Sequence, residues 1–259
     1  MTKLISLLLL VLGLATACAR NEPAPPPPEP VRVLSSNGVK AVVEALQPEI
    51  ERAIARPLAI EFSTATGLKE RIEQGAAFDV AILTPAMIHD LASHQLIVAE
   101  SEANIARTGV GVGAREGAPR ADVTTAEALK TVLLNAKSVA FTEAGQSRSI
   151  IDTTYKRLGI EEAMKAKTIL KGPGESPAAV ARGEAELVLT LISEIVPVQG
   201  IQLLGPLPTE LQGYVSFAGG RSPTARDAAA ADAVLGYLTG PAAEPAIKAN
   251  GMEAVEGRD

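Results

Sequence analysis

From residue 31 onward the chain alternates short apolar runs with stretches whose apolar residues recur at helical spacing, and few folds accept that order. Residues 31–34 read as a buried strand, after which Val39, Val42, Val43, Leu46, Ile50 and Ile54 mark one face of a helix that Pro57 ends. Residues 58–62 predict a second strand, 68–74 a short helix closed by Gly75, and 78–83 a third strand. Thr84 with Pro85 opens another helix, since proline suits the first helical position and threonine can cap it. Strand, helix and strand repeated in this way predict an α/β fold with a parallel sheet.

The alternation resumes after residues 108–114 (TGVGVGA), a strand whose glycines leave one face nearly bare. Thr124-Thr125-Ala126-Glu127 reads as a capping box opening a helix to Leu134. Strands at 138–141, 168–170 and 187–191 are then interleaved with helices at 147–158 and 177–182. A strand near 213–217 and helices at 223–238 and 241–249 finish the chain, with no repeat of fixed period.

What precedes residue 31 is not fold. Lys3, an apolar run over 4–14 and the small residues Ala15-Thr16-Ala17 ahead of Cys18 read as an export signal over 1–17. The run is far short of the roughly 20 residues a membrane-spanning helix needs. Two processing routes fit: cleavage by an ordinary leader peptidase, or lipid attachment to Cys18 as in bacterial lipoproteins. Residues 18–30 include RNEPAPPPPEP, whose prolines favour an extended tether and cannot build a core.

The chain from 31 to 259 suffices for one large or two modest domains. At 47% hydrophobic residues it can bury a core, yet it has no Trp, 3 Tyr and 4 Phe, few rings for stacking on bases or sugars. Its net charge of -6, which becomes -7 once Lys3 is removed with the signal, disfavours nucleic acid and anionic membrane surfaces as partners. A small anion is still admissible, because donors at contact distance outweigh a diffuse field. One cysteine excludes an intrachain disulfide.

Four strand-to-helix junctions share small, hydroxylated and glycine-containing residues: 35–38 (SSNG), 64–67 (TATG), 143–148 (EAGQSR) and 172–177 (GPGESP). In an open parallel sheet such junctions lie at the carboxyl ends of strands, where ligands bind. Each helix start offers free N–H groups and the positive end of a dipole to an anion. Singly, each junction is explained as well by ordinary helix capping; together, the four predict an anion-binding cleft.

Two segments carry a family resemblance. ERIEQGAAFDVAIL at 70–83 and VARGEAELVLTLISEI at 180–195, with the order of elements, resemble the type II periplasmic solute-binding proteins of ABC transporters, in the molybdate-binding-like branch. The resemblance implies two Rossmann-like lobes with parallel-rich sheets, lobe 1 from 31–108 and 213–259 and lobe 2 from 109–212. It makes 108–114 and the region 205–217 the hinge crossings. It also implies an exported, monomeric receptor that closes on a small anionic solute, with no cofactor, and presents it to a membrane permease. The implied ligand residues are Ser36, Asn37, Gly38, Thr64, Thr66, Gly67, Ser147, Arg148, Ser176 and Thr190.

The sequence departs from that branch at three places. Gly38 stands where oxyanion binders use serine, Leu191 follows Thr190 where they place a tyrosine, and Ser147-Arg148 replaces a small pair. An arginine there suits a carboxylate, since a charge-assisted contact is worth roughly 1.5 to 3 kcal/mol; it equally fits a surface position on a helix's first turn.

Other motifs are weaker. Gly109-x-Gly111-x-x-Ala114 matches a dinucleotide fingerprint, but residues 115–119 (REGAP) cannot continue as the required helix. His89 and His94 lack neighbours at metal-ligand spacing and read as surface residues. Two rivals to transport remain: an enzyme isomerising a small carboxylic acid through Glu143, Glu175 or Glu194, and a ligand-binding sensor.

Overall fold

The computed structural model describes residues 28–255, so the signal segment, Cys18 and most of the tether lie outside the described residues. Strand β1 (Val31–Ser36) turns through a 3-10 segment at Asn37–Val39 into α1 (Lys40–Ile54), which buries Val42, Val43, Leu46 and Ile50. β2 (Leu58–Ser63), α2 (Ala65–Glu73), β3 (Val80–Leu83) and α3 (Pro85–Ser93) follow. β4 (Ala103–Arg115) is the longest strand among the described residues and leads to α4 (Ala126–Asn135). Next come β5 (Val139–Thr142), α5 (Arg148–Leu158), α6 (Glu161–Lys165), β6 (Thr168–Lys171), α7 (Ser176–Ala181), β7 (Leu187–Leu191) and α8 (Ile192–Ile195). β8 (Ile201–Pro206), β9 (Tyr214–Arg221), α9 (Ala228–Thr239), α10 (Glu244–Ala249) and β10 (Glu253–Ala254) complete the fold.

The strands order as β2-β1-β3-β9-β4-β7-β5-β6. At one end β2, β1 and β3 are parallel and β9 is antiparallel to β3. At the other end β6, β5 and β7 are parallel and β4 is antiparallel to β7. The two halves repeat one pattern, three parallel strands beside an antiparallel one, and β4 belongs to both. Its residues from Ala103 to Gly109 pair with β9, while Val110 to Ala114 pair with β7.

Several expectations are corrected. The last long helix starts at Ala228 instead of 223, because Asp227 caps it by accepting from the Ala230 N–H at 3.0 Å. The expected capping box does not form: the N-cap is Thr125, which accepts from the Ala128 N–H at 3.2 Å and so leaves alanine at the third position, while Thr124 donates to Asp122. The helix expected at 68–74 begins at Ala65, because Thr64 already caps it. The region 205–217 holds the end of one strand that the pattern does not show and the start of the strand expected near 213–217. β8 ends at Pro206 and β9 begins at Tyr214; β8 escaped the pattern because Gln202, Gly205 and Pro206 break its alternation.

The largest apolar cluster includes Val33 and Ile50 from one half, Phe141 and Leu189 from the other, and Leu191 and Phe217 between them. One ion pair is built into this frame. Asp79, 3% exposed at its side chain, accepts from the Arg32 Nε at 3.0 Å and from its terminal nitrogen at 2.8 Å. It also accepts from the Arg32 and Arg226 backbone N–H groups. Among the described residues no helix is long and apolar enough to cross a membrane.

Candidate functional site

The carboxyl ends of two parallel strands of one half and three of the other, the two sets running in opposite directions, meet around an inner cavity of about 20 Å³. That is room for one water or one compact anionic group. Ser36, Asn37 and Gly38 enter it after β1, and Thr64 and Ala65 after β2. From the other half come Thr142, Gly145, Gln146 and Ser147 after β5, Gly174 after β6, and Leu191 with Glu194 after β7. The first turns of α2 and α5 open onto it, so backbone N–H groups and hydroxyls are its donors. None of the lining residues is Lys, Arg or His.

Of the residues singled out from sequence, Ser36, Asn37, Gly38, Thr64 and Ser147 line this cavity. Thr64 also caps α2, accepting from the Gly67 N–H at 3.2 Å, so capping and cavity wall are one arrangement. Gly38 is required by space. A Cβ there would fall 2.2 Å from the Phe217 ring and 2.9 Å from Leu191, which leaves no room for serine. The Gly38 carbonyl accepts the Ser193 hydroxyl at 2.7 Å, a buried bond joining the two halves.

Four others stand behind the wall. Thr66 accepts a 3.4 Å contact from the Gln146 amide, and the Gly67 N–H serves the Thr64 cap. Ser176, fully buried, shares a 3.0 Å hydrogen bond with Thr142 and so holds a hydroxyl that does line the cavity. Thr190, also fully buried, donates to the Glu194 carboxylate.

Arg148 is the correction that matters most. One position past Ser147 is about 100° further round a helix, and the side chain leaves the cavity. Its Nε lies 2.9 Å from both Asp152 carboxylate oxygens, one turn along α5. Its guanidinium sits 5.1 Å above the Phe141 ring and donates to the Glu143 carbonyl at 3.3 Å. It lines a separate groove of about 450 Å³ with Tyr155, Met164 and Leu170. The case for a carboxylate ligand therefore cannot rest on Arg148.

Sequence reasoning missed the weight of Glu194, which it named only as one carboxylate among three. α8 begins directly after β7, so Glu194 turns back toward the strand end, where the Thr190 hydroxyl bonds it. Burial pushes its carboxyl above the usual range, against the opposing pull of the Thr190 hydroxyl and the Leu191 backbone. Glu143 and Glu175, the other two candidates, are exposed and outside the cavity lining. Thr142, Gln146 and Gly174 were also missed as lining residues. The junction composition flagged the last two loops; Thr142 is the end of a strand, which no composition signal marks.

His89 and His94 lie on the surface, with side chains 81% and 66% exposed. Among the described residues no cluster of three or more His, Cys, Asp or Glu side chains forms a metal site.

Two matched three-strand units sharing β4, with loops from both facing a common cavity, define a binding protein of the periplasmic type II class. The family pattern described as bacterial extracellular solute-binding protein matches residues 31–253, and the chain belongs to that family. Over 228 residues it is 26% identical to an aconitate isomerase from Pseudomonas sp, covering 86% of this chain and 87% of that one. Among solved structures it is similar to the periplasmic molybdate-binding protein of Azotobacter vinelandii, with a TM-score of 0.71 at 14% identity over 87% of this chain and 100% of that one. It is also similar to L-phospholactate-bound PEB3 of Campylobacter jejuni, with a TM-score of 0.64 at 14% identity over 86% and 99% of the two chains.

Proposed function

We propose that this protein is an exported receptor that closes on a small organic carboxylate, in preference to a molybdate-type oxyanion, and delivers it to an ABC permease. The observation that carries the reading is Glu194. A half-buried carboxyl beside an anion is tolerated when it is protonated, and its raised pKa eases that state. A singly charged carboxylate group then meets a neutral acid and several neutral donors. A doubly charged tetrahedral anion in the same place has no cation opposite it. The name of the Pseudomonas relative agrees with this choice of ligand.

Closure follows from β4. Lobe 1 is 31–108 with 213–259 and lobe 2 is 109–212, turning about the continuous strand and the return from β8 to β9. The receptor works as a monomer, held at the envelope through lipidated Cys18 and the proline-rich tether. Cys18→Ser is expected to move the mature protein from the membrane to the soluble extracytoplasmic fraction.

The ligand is tested by thermal shift of the mature chain with aconitate, molybdate, tungstate and sulfate. At a hundredfold excess over the dissociation constant a ligand adds about 2.7 kcal/mol of stability, and aconitate is expected to do so. A shift with molybdate that no carboxylate matches overturns the reading.

A second reading, isomerisation of a small carboxylic acid, draws on the same residue. Ionised Glu194 is placed to take a proton from a carbon of the bound acid and, as the acid, to return it to another. Incubation with aconitate in deuterium oxide separates the two: the receptor reading expects no deuterium in recovered ligand, the isomerase reading expects incorporation that Glu194→Gln abolishes.

A further inference from the structure

Beside the inner cavity lies a second chamber of about 380 Å³, and the two share Asn37, Gly174 and Glu194 as their partition. The partition is thin. Gly174 lies close to the Asn37 side chain there, since a Cβ on it would stand 3.4 Å from the Asn37 amide nitrogen, and Glu194 lines both spaces. The outer chamber is of ordinary size for a small-molecule site, whereas the inner one admits a single compact group. Its wall also carries what the inner cavity lacks, a cation. Lys40, in the first turn of α1, lines the outer chamber with its ammonium 5.5 Å above the Phe62 ring. Its ionic neighbour Glu44 is 3.7 Å away and both side chains are 51% exposed, too loose a pairing to occupy the ammonium's donors.

We infer that the ligand is an elongated di- or tricarboxylate that spans both chambers, one carboxylate in the inner cavity against Glu194 and a second in the outer chamber on Lys40. This rests on the carboxylate reading above and narrows it. The inner cavity alone serves any compact anion, but it does not account for an adjoining second space with an ammonium on its wall. A molecule with carboxylates a few bonds apart uses both: the outer group displaces Glu44 from Lys40, and the chain between passes the Asn37 and Gly174 partition. The inner end recognises a carboxyl group and the outer end measures how far away the next one is, so Lys40 determines specificity.

The test uses the mature full chain with two probes, trans-aconitate as a tricarboxylate and crotonate as a monocarboxylate, titrated into the parent, Lys40→Ala and Lys40→Arg. Lys40→Ala is expected to weaken aconitate about tenfold, as loss of one charged contact does. The same variant leaves crotonate, measured directly or by its competition with aconitate, within about twofold, and Lys40→Arg restores most of the aconitate affinity. Lys40 is exposed on a helix, and an unchanged melting temperature of the free variant confirms that only the ligand contact is lost. Aconitate binding that Lys40→Ala leaves unchanged, or a loss shared equally by crotonate, overturns the two-chamber inference while leaving the carboxylate reading in place. If neither probe binds the parent, both fall together.

Discussion

The fold sets two carboxylates against its interior, Asp79 buried and Glu194 half-buried, and treats them oppositely. Asp79, at the end of the sheet that holds β1 and β3, is saturated by a bidentate Arg32 and two backbone N–H groups. Burial alone would raise its pKa, but the Arg32 side chain and those N–H groups hold it below the usual aspartate range. Glu194, at the cavity, has one hydroxyl partner and no cation, and burial wins. The difference separates a group that fixes structure from one that the proposed function makes available to a ligand. A stabilising site satisfies its charge completely, while a binding site leaves some of that work for the molecule it captures.

The comparison breaks most visibly at Asp79. Asp79→Ala strands a half-buried guanidinium and is expected to cost roughly 3 to 5 kcal/mol in denaturant unfolding; a loss below about 1 kcal/mol would put Asp79 among ordinary surface pairs. The pH dependence carries the matching sign. A lowered folded pKa gives stability that is complete above the unfolded aspartate value near about 3.9 and is lost as pH falls through the folded value.

Glu194 runs the other way. Its raised folded pKa means that the native state binds more protons than the unfolded chain once pH exceeds the unfolded glutamate value of about 4.3. Stability therefore declines as pH rises from there until the folded value is passed. Glu194→Gln should abolish that decline and gain on the order of 1 kcal/mol in the free protein at mildly alkaline pH. Melting curves of parent and variant from pH 5 to 8 that stay parallel would remove Glu194 from its special role.

The smallest effect belongs to Arg148. Arg148→Ala loses one i,i+4 pair and one contact with the Phe141 ring, together about 1 kcal/mol or less. Aconitate affinity should change by no more than about twofold, measured by calorimetry. A large affinity loss with unchanged stability would return the guanidinium to the cleft.

Much of this was legible in the sequence because it depends on local periodicity. The strand-helix order, the four loop junctions and the helix start at Thr84-Pro85 are set by residues within a few positions of one another. The two carboxylates were not separable that way. Arg32 and Asp79 are 47 residues apart, and nothing in FDV at 78–80 announces a partner. Arg148 misled for a geometric reason: composition identifies a loop, but one residue of helical rotation decides whether a side chain faces the ligand or Asp152. Glu194 lay past the end of the strand, in a segment where the sequence shows a polar residue without showing which way the chain turns.

Gln212 carries a consequence of its own. Its side-chain amide donates to the Val110 carbonyl at 3.0 Å and accepts from the Val110 N–H at 2.9 Å, reproducing with one side chain the pair of bonds a neighbouring strand would make. Val110 lies between the part of β4 that pairs with β9 and the part that pairs with β7 and β8, and there the amide, with the Leu207 N–H that donates to the Val110 carbonyl at 3.0 Å, splices a ladder interrupted at that rung. A spliced ladder transmits tension along the strand but little torque across it, because one side chain can swivel where a row of peptides cannot. Tilt between the two halves is therefore resisted less at this rung than by the buried Gly38–Ser193 bond and the apolar cluster that both halves share.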